Sequence, residues 1–368
     1  MSHTETVGAF TDLYLPTVNG VTSTVGLWRE HWSARRGPMS VVYPRVEGYE
    51  PAEDEHPVRS VRAPFFPRYR LGLPLVPDGL AAPDLVHVHT PFTVGYAGLR
   101  FARERGLPVV ASYHTLLGER ADRIAPRPFS DGLRSVCRGY ERAFFERADR
   151  VIVPTAFARR HLLETVGADV DARVVSNGID TDLFRPVDPS RLRSRYDLPD
   201  SPLVGYTGRH GPEKNLGEAI DAVSGTGVSL AIAGDGPARG EWEARAREAD
   251  ADVRFLGFLD RAELPAFYSA LDAFVFPSPV ETQGLVALEA TACGTPVVAV
   301  DAGALTEFVI GGETGYRYRR GDVEDFRYAI RRALAERDRL SDLCVRRRSM
   351  LSVEHSVGQL AGIYDELV

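Results

Sequence analysis

Two short segments combine charge and glycine in a pattern suited to an anionic ligand. The first is Gly208-Arg209-His210-Gly211-Pro212-Glu213-Lys214-Asn215, placed between an apolar strand-like run at 203–207 and a helical pattern beginning near Leu216. Gly208 lets the backbone approach a ligand, and the helix start behind it offers unpaired N–H groups at a positive dipole end. Arg209 adds a planar fork and Lys214 a point charge, so a diphosphate is the natural guest. The alternative is a surface ion pair, Glu213 with Lys214. Among the 44 basic residues Lys214 is the only lysine, which marks it for chemistry that wants a compact ammonium.

The second segment is Pro277-Ser278-Pro279-Val280-Glu281-Thr282-Gln283-Gly284-Leu285-Val286-Ala287-Leu288-Glu289, again strand, turn and helix start. A carboxylate accepts hydrogen bonds from adjacent hydroxyls, so Glu281 in the turn suits a donor sugar and Glu289 in the helix suits a ribose. Between them Gln283, Gly284, Leu285 and Val286 offer N–H groups that would cap a distal phosphate, with Thr282 in the same donor-binding turn. Read alone, the two glutamates are better explained as an N-terminal charge and a solvated face. His114 closes a strand at 109–113, a position where a lone histidine more often serves as a structural hydrogen bonder. His87 and His89, two apart on a strand, share one face, but no third ligand accompanies them and neutral hydrogen bonding is the better reading.

These segments need strands to carry them, and the sequence supplies two sets. Apolar runs at 6–11, 40–43, 85–89, 109–113, 150–153 and 173–175 alternate with helical patterns, the rhythm of a parallel sheet covered on both faces. A Pro-bearing polar stretch, 181–202, reads as a linker. The rhythm restarts at 203–207, 229–233, 253–256, 273–276 and 296–299. The expected organisation is an N-terminal Rossmann-like acceptor-side domain over 1–180 and a nucleotide-binding one over 203–350. A C-terminal helix, 351–368, packs back on the first. Doubly wound sheets bind ligands at the carboxyl ends of their strands, so an α/β fold with two such domains facing a cleft is predicted.

Length and composition agree, since 368 residues exceed what one core usually holds and 44% hydrophobic with 26% charged is an ordinary globular balance. A net charge of −7 argues against a nucleic-acid partner. Cys137, Cys293 and Cys344 form no CxxC pair, so neither a disulfide framework nor a zinc site is indicated and a reducing cytoplasm fits. No leader or membrane-length apolar run is visible.

Together the two charged segments resemble the retaining GT-B glycosyltransferases of family 4, whose GRxxPEK and E-x7-E signatures stand here as 208–214 and 281–289. The resemblance extends to 11–21, 84–91, 112–115, 177–180 and 234–237. It implies that Gly20, with Asn19, contacts the donor phosphate, that His114 faces the donor sugar and Thr115 the acceptor, and that Gly236 and Leu259 wall the nucleotide. It also implies a hexosyltransferase that uses a nucleoside diphosphate sugar and needs no metal or other cofactor. The segment 62–74 carries Arg62, Phe65, Phe66, Arg68, Tyr69 and Arg70, and resembles the stretch found in diacylglycerol glucosyltransferases and phosphatidylinositol mannosyltransferases. A membrane lipid is therefore the favoured acceptor, with peripheral attachment at the inner face of the membrane, through rings in the interface and arginines in water. A buried strand connection is the alternative for that segment. A soluble sugar or growing glycan is the alternative acceptor. Other classes are a pyridoxal-free phosphorylase and a noncatalytic nucleotide-sugar binding subunit.

Overall fold

A computed structural model describes residues 5–63, 66–119 and 129–368. The chain divides into two compact units, Met1–Gly178 with Val353–Val368, and Ile179–Ser352.

The first unit is built on a parallel sheet of β1 (Val7–Phe10), β2 (Met39–Pro44), β3 (Glu55–Val58), β6 (Leu85–Val88), β7 (Val109–Ser112), β8 (Arg150–Val153) and β9 (Ala172–Val174), in the order β3-β2-β1-β6-β7-β8-β9. β1, β2, β6 and β7 are buried along their whole length, so they read as short apolar runs rather than alternating ones. Helix α1 (Gly20–Ser33) buries Val21, Val25, Trp28 and Trp32, a helical spacing that lays one stripe on the core. The last helix, Val353–Asp365, returns to this unit, and its Tyr364 ring meets Trp32 at 4.9 Å. Helix α2 (Thr93–Arg105) follows β6.

Two strands stand apart from this sheet. β4 (Ser60–Ala63) and β5 (Phe66–Gly72) pair antiparallel, with Val61 opposite Leu71 and Arg62 opposite Arg70. The segment weighed as a lipid contact is thus largely this ribbon, not a strand connection within the parallel sheet. Pro64 and Phe65 lie outside the described residues.

The second unit carries β10 (Leu203–Thr207), β11 (Ser229–Ala233), β12 (Val253–Gly257), β13 (Ala273–Phe276), β14 (Val297–Val300) and β15 (Gly315–Tyr318), all parallel, ordered β12-β11-β10-β13-β14-β15. Residues 181–202, expected as a linker, pack into this unit: Phe184, Leu192 and Leu198 are buried in its core. Their prolines interrupt any periodic pattern, which hides three apolar anchors from a reading based on periodicity. In each sheet the order reverses beside the first strand, between β1 and β6 and between β10 and β13. Ligands of open α/β sheets bind at such points.

Candidate active site

In the second unit the two charged segments occupy the switch point. β10 and β13 are hydrogen-bonded neighbours, so the loops 208–215 and 277–284 leave the same sheet edge side by side. The first loop is pinned by its backbone. Gly208 N–H donates to Ala233 at 3.2 Å, His210 N–H to Asp235 at 2.9 Å, and Ala238 N–H to the His210 carbonyl at 3.0 Å. Gly234, at φ +111°, makes this possible, because a Cβ there would sit 2.0 Å from the Gly208 carbonyl oxygen. A short turn, Pro212–Lys214, then feeds the helix Leu216–Val223.

That geometry sets the cations. Lys214 Nζ donates to Glu281 Oε1 at 2.5 Å, joining the two loops, and both side chains are largely buried at 18% and 16% exposure. Arg209 pairs with Glu213 four residues on. The ion pair weighed from sequence, Glu213 with Lys214, is replaced by these two. Each cation is held by a carboxylate at the switch-point edge of the sheet.

The second loop ends at Gly284, whose φ of +85° opens the helix Leu285–Ala292. A side chain there would reach 2.8 Å from the Phe276 ring. Leu285 and Val286 lie in the first turn, where N–H groups lack intrahelical partners. Gln283 is fully buried. Glu289 is buried too, and its Oε2 accepts the Tyr268 hydroxyl at 2.7 Å. Burial pushes its carboxyl above the usual range, against the hydrogen bond from Tyr268 and the nearby Arg261 charge. Gly236 sits in the turn after β11, and Gly257 accepts from Gly234 N–H at 2.7 Å. Leu259 is buried behind an exposed Phe258.

In the first unit the loop after β1 ends in Asn19, whose carboxamide oxygen caps α1 by accepting from Val21 N–H at 2.9 Å and Thr22 N–H at 3.1 Å. Gly20 is the first residue of the helix. The same loop is anchored by Asp12. Its Oδ1 accepts from the Thr93 hydroxyl at 2.8 Å and Val94 N–H at 3.0 Å, and its Oδ2 from the Thr90 hydroxyl at 2.8 Å and Gly95 N–H at 3.3 Å. The carboxylate thereby ties the loop after β1 to the start of α2.

His114 follows β7 and is the end of a stack. His89 and His114 rings have centroids 5.5 Å apart and nearly parallel planes, with His89 Nδ1 3.3 Å from His114 Nε2. His87 stacks on His89 at 4.0 Å, and hydrogen-bonds Tyr364 at 2.5 Å and Ser112 at 2.8 Å. Burial pushes His114 down to about 4, and pushes His87 and His89 well below their usual value. All three rings are neutral near pH 7. Thr115, the next residue, is half-buried.

Comparison with known proteins gives this geometry its context. Residues 18–183 match the family described as Glycosyltransferase Family 4, and residues 191–348 match Glycosyl transferases group 1. A GDP-mannose-dependent alpha-mannosyltransferase of Mycolicibacterium smegmatis is 31% identical, over 98% of this chain and 97% of that one. The chain belongs to glycosyltransferase family 4. An alpha-monoglucosyldiacylglycerol synthase of Streptococcus pneumoniae is 30% identical, over 80% of this chain and 70% of that one. The sulfoquinovosyl transferase SQD2 of Arabidopsis thaliana is 32% identical over 76% of this chain, which spans 56% of that protein's length. A sucrose-phosphate synthase from Thermosynechococcus elongatus shares the fold, with a TM-score of 0.81 over 99% of both chains at 24% identity. The fold of this glycosyltransferase is GT-B, with two Rossmann-like units.

Three residues that hold candidate residues or their loops in place are not legible in the sequence. Asp12 stood inside a matched loop but carried no assigned role, while Tyr268 and Tyr364 had no signal of their own. Their partners lie 21 and 277 residues away, beyond any local pattern. Among the described residues, no group of three or more His, Cys, Asp or Glu side chains is placed to hold a metal ion, and no helix is long and apolar enough to cross a membrane.

Proposed function

We propose that this glycosyltransferase moves a hexose from a nucleoside diphosphate sugar to a membrane lipid, with retention of configuration and without a metal ion. The observation that carries the donor half is the placement of Arg209, Lys214 and Glu281 on two adjacent loops at the switch point of the second unit. On donor binding Lys214 and Arg209 turn to the diphosphate, and the helix start at Leu285 and Val286 caps its distal phosphate. Glu281 holds sugar hydroxyls, and Glu289 takes the ribose through the oxygen that Tyr268 leaves free. Gly236 and Leu259 line the nucleotide. By the family resemblance Asn19 and Gly20 contact the phosphate, His114 faces the sugar and Thr115 the acceptor.

The bond from the acceptor oxygen to the anomeric carbon forms on the face from which the phosphate oxygen leaves. The departing phosphate oxygen takes the acceptor proton, so no protein base is consumed. A neutral His114 fits a group that positions and polarises. Two full positive charges and a helix end offset the charge that develops on the leaving group, a job that a metal ion does in other enzymes.

Lipid as acceptor is supported by the relatives, among them the alpha-monoglucosyldiacylglycerol synthase named above and a phosphatidylinositol dimannoside mannosyltransferase of Mycobacterium tuberculosis, 31% identical over 73% of this chain. The β4–β5 ribbon supports it as well. Val61 and Arg62 are exposed on β4, and Leu73 and Leu75 are exposed just after β5. Arg70 is spent within the ribbon, its Nε donating to Ser60 Oγ at 2.7 Å. Among the described side chains of the ribbon, Arg62 remains for headgroups. The enzyme then works as a peripheral protein at the cytoplasmic face of the membrane.

The test is co-sedimentation with vesicles. Wild type binds anionic vesicles more strongly than neutral ones, and salt weakens the binding. Changing Phe65 and Phe66 to serine, and Arg62 and Arg68 to glutamine, abolishes it while transfer to a short soluble acceptor persists. Equal sedimentation of both proteins, or none by folded wild type, moves the acceptor to a soluble sugar or growing glycan.

A further inference from the structure

The stack of three histidines in the first unit contains a proton whose position follows from its surroundings. His89 Nδ1 and His114 Nε2 face each other at 3.3 Å. Two lone pairs at that distance repel, so one nitrogen carries a hydrogen and the other accepts it. Each neutral imidazole has one N–H, so the direction of this single bond fixes the tautomer of both rings.

His89 Nε2 decides the direction. It is buried, and no hydrogen-bond partner reaches it. His87 above it spends both nitrogens elsewhere, on Tyr364 and Ser112. Were His114 the donor, His89 would carry its hydrogen on Nε2, and a buried N–H would lack an acceptor. With His89 as donor, its hydrogen sits on Nδ1 in the bond to His114, and only a lone pair is left unmatched. Buried N–H groups without an acceptor are rarer than acceptors with a spare lone pair, because a stranded donor forfeits its whole hydrogen bond.

The geometry points to His89 as a positioning residue that donates Nδ1–H to His114 Nε2 and so locks His114 in the tautomer with its proton on Nδ1. Resting on the placement of His114 at the donor sugar, the inference gives that histidine a definite chemistry there: it donates to a hydroxyl oxygen. The lock is rigid, since Trp28 lies 5.8, 6.0 and 6.3 Å from the rings of His87, His89 and His114, and Trp28 Nε1 is itself tied to the Asn177 carbonyl at 2.8 Å. Burial keeps the three rings from taking a second proton near neutrality, so the tautomers do not blur.

Two measurements test this. In wild type labelled with nitrogen-15 in its nine histidines, two-bond proton–nitrogen correlation at pH 7 reads which ring nitrogen carries the proton, with His114 assigned by its loss in His114→Gln. A proton on His114 Nδ1 is expected, and a proton on Nε2 overturns the proposal whatever the enzyme's activity. The second measurement is turnover of two variants. His89→Asn keeps an N–H donor near the Nδ1 position, whereas His89→Leu removes it. Loss of one neutral hydrogen bond lowers kcat of His89→Leu by about tenfold, with KM for the donor changed far less, and His89→Asn recovers most of it. Equal kcat in the two variants overturns the positioning role. Should wild type transfer no sugar, the tautomer still decides the assignment to His89, and the functional reading fails by itself.

Discussion

Lys214→Ala and Arg209→Ala each lower turnover by about 10²–10³-fold, the range seen when one preorganised group that meets developing charge is removed. Both proteins stay folded. Arg209 is half-exposed at 49% while its partner Glu213 is 13% exposed, and a pair with one end in solvent contributes about 1 kcal/mol or less to stability. Lys214 and Glu281 are largely buried, so removing Lys214 leaves a carboxylate short of its partner at a cost of about 1–3 kcal/mol, between that of an exposed and of a fully buried pair. What is lost is specific to the reaction. Neither cation gains much by holding a neutral sugar, and both gain as the anomeric bond breaks and charge gathers on the diphosphate. Lys214→Arg does not restore the rate, because a planar fork cannot reproduce a point charge held by Glu281. Turnover in the two alanine variants is read beside thermal unfolding. Wild-type turnover in both would remove the phosphate assignment from these residues.

The largest effect on stability is expected at Asp12. Asp12→Ala removes an acceptor that serves two hydroxyls and two backbone N–H groups, all in a site where Asp12 is 6% exposed. Each buried donor left without a partner carries a desolvation penalty, and the total is about 3–5 kcal/mol once relaxation is allowed for. Burial raises the Asp12 carboxyl while the four hydrogen bonds lower it, so the charged form is costly yet fully used. Loss of the carboxylate also frees the loop that leads to Asn19 and Gly20, so donor affinity falls together with stability. Urea unfolding measures the first and donor titration the second. A midpoint within error of wild type would show that the loop after β1 is held by something other than Asp12.

The elements that carry the site were legible in sequence because their signals are local. Buried parallel strands appear as short apolar runs, and a glycine with charges directly after such a run marks a strand end that meets a ligand. The places of Gly208, Lys214, Glu281 and Gly284 in the loops after β10 and β13 follow in this way. Partner choice could not, since Lys214 and Glu281 are 67 residues apart and meet only because β10 and β13 are neighbours in the folded sheet. The same holds for Tyr364, which reaches His87 from the last helix of the chain. Residues 181–202 read as a linker because prolines break periodicity, yet Phe184 is fully buried. The role of Arg70 also changes, from a headgroup contact to a clasp on Ser60.

The proposed reaction passes a hexose from a nucleoside diphosphate to a lipid with the help of cations supplied by the protein. Its most direct measurement is transfer of radiolabelled sugar from GDP-mannose or UDP-glucose into the organic extract of anionic vesicles carrying diacylglycerol and phosphatidylinositol, with and without EDTA. Label enters the organic phase with at least one donor, EDTA leaves the rate largely unchanged, and Lys214→Ala lowers the transfer by about 10²–10³-fold. Transfer that EDTA eliminates and magnesium or manganese restores would contradict the role given to Arg209 and Lys214, and donors left intact beside folded wild type would contradict the proposed reaction itself.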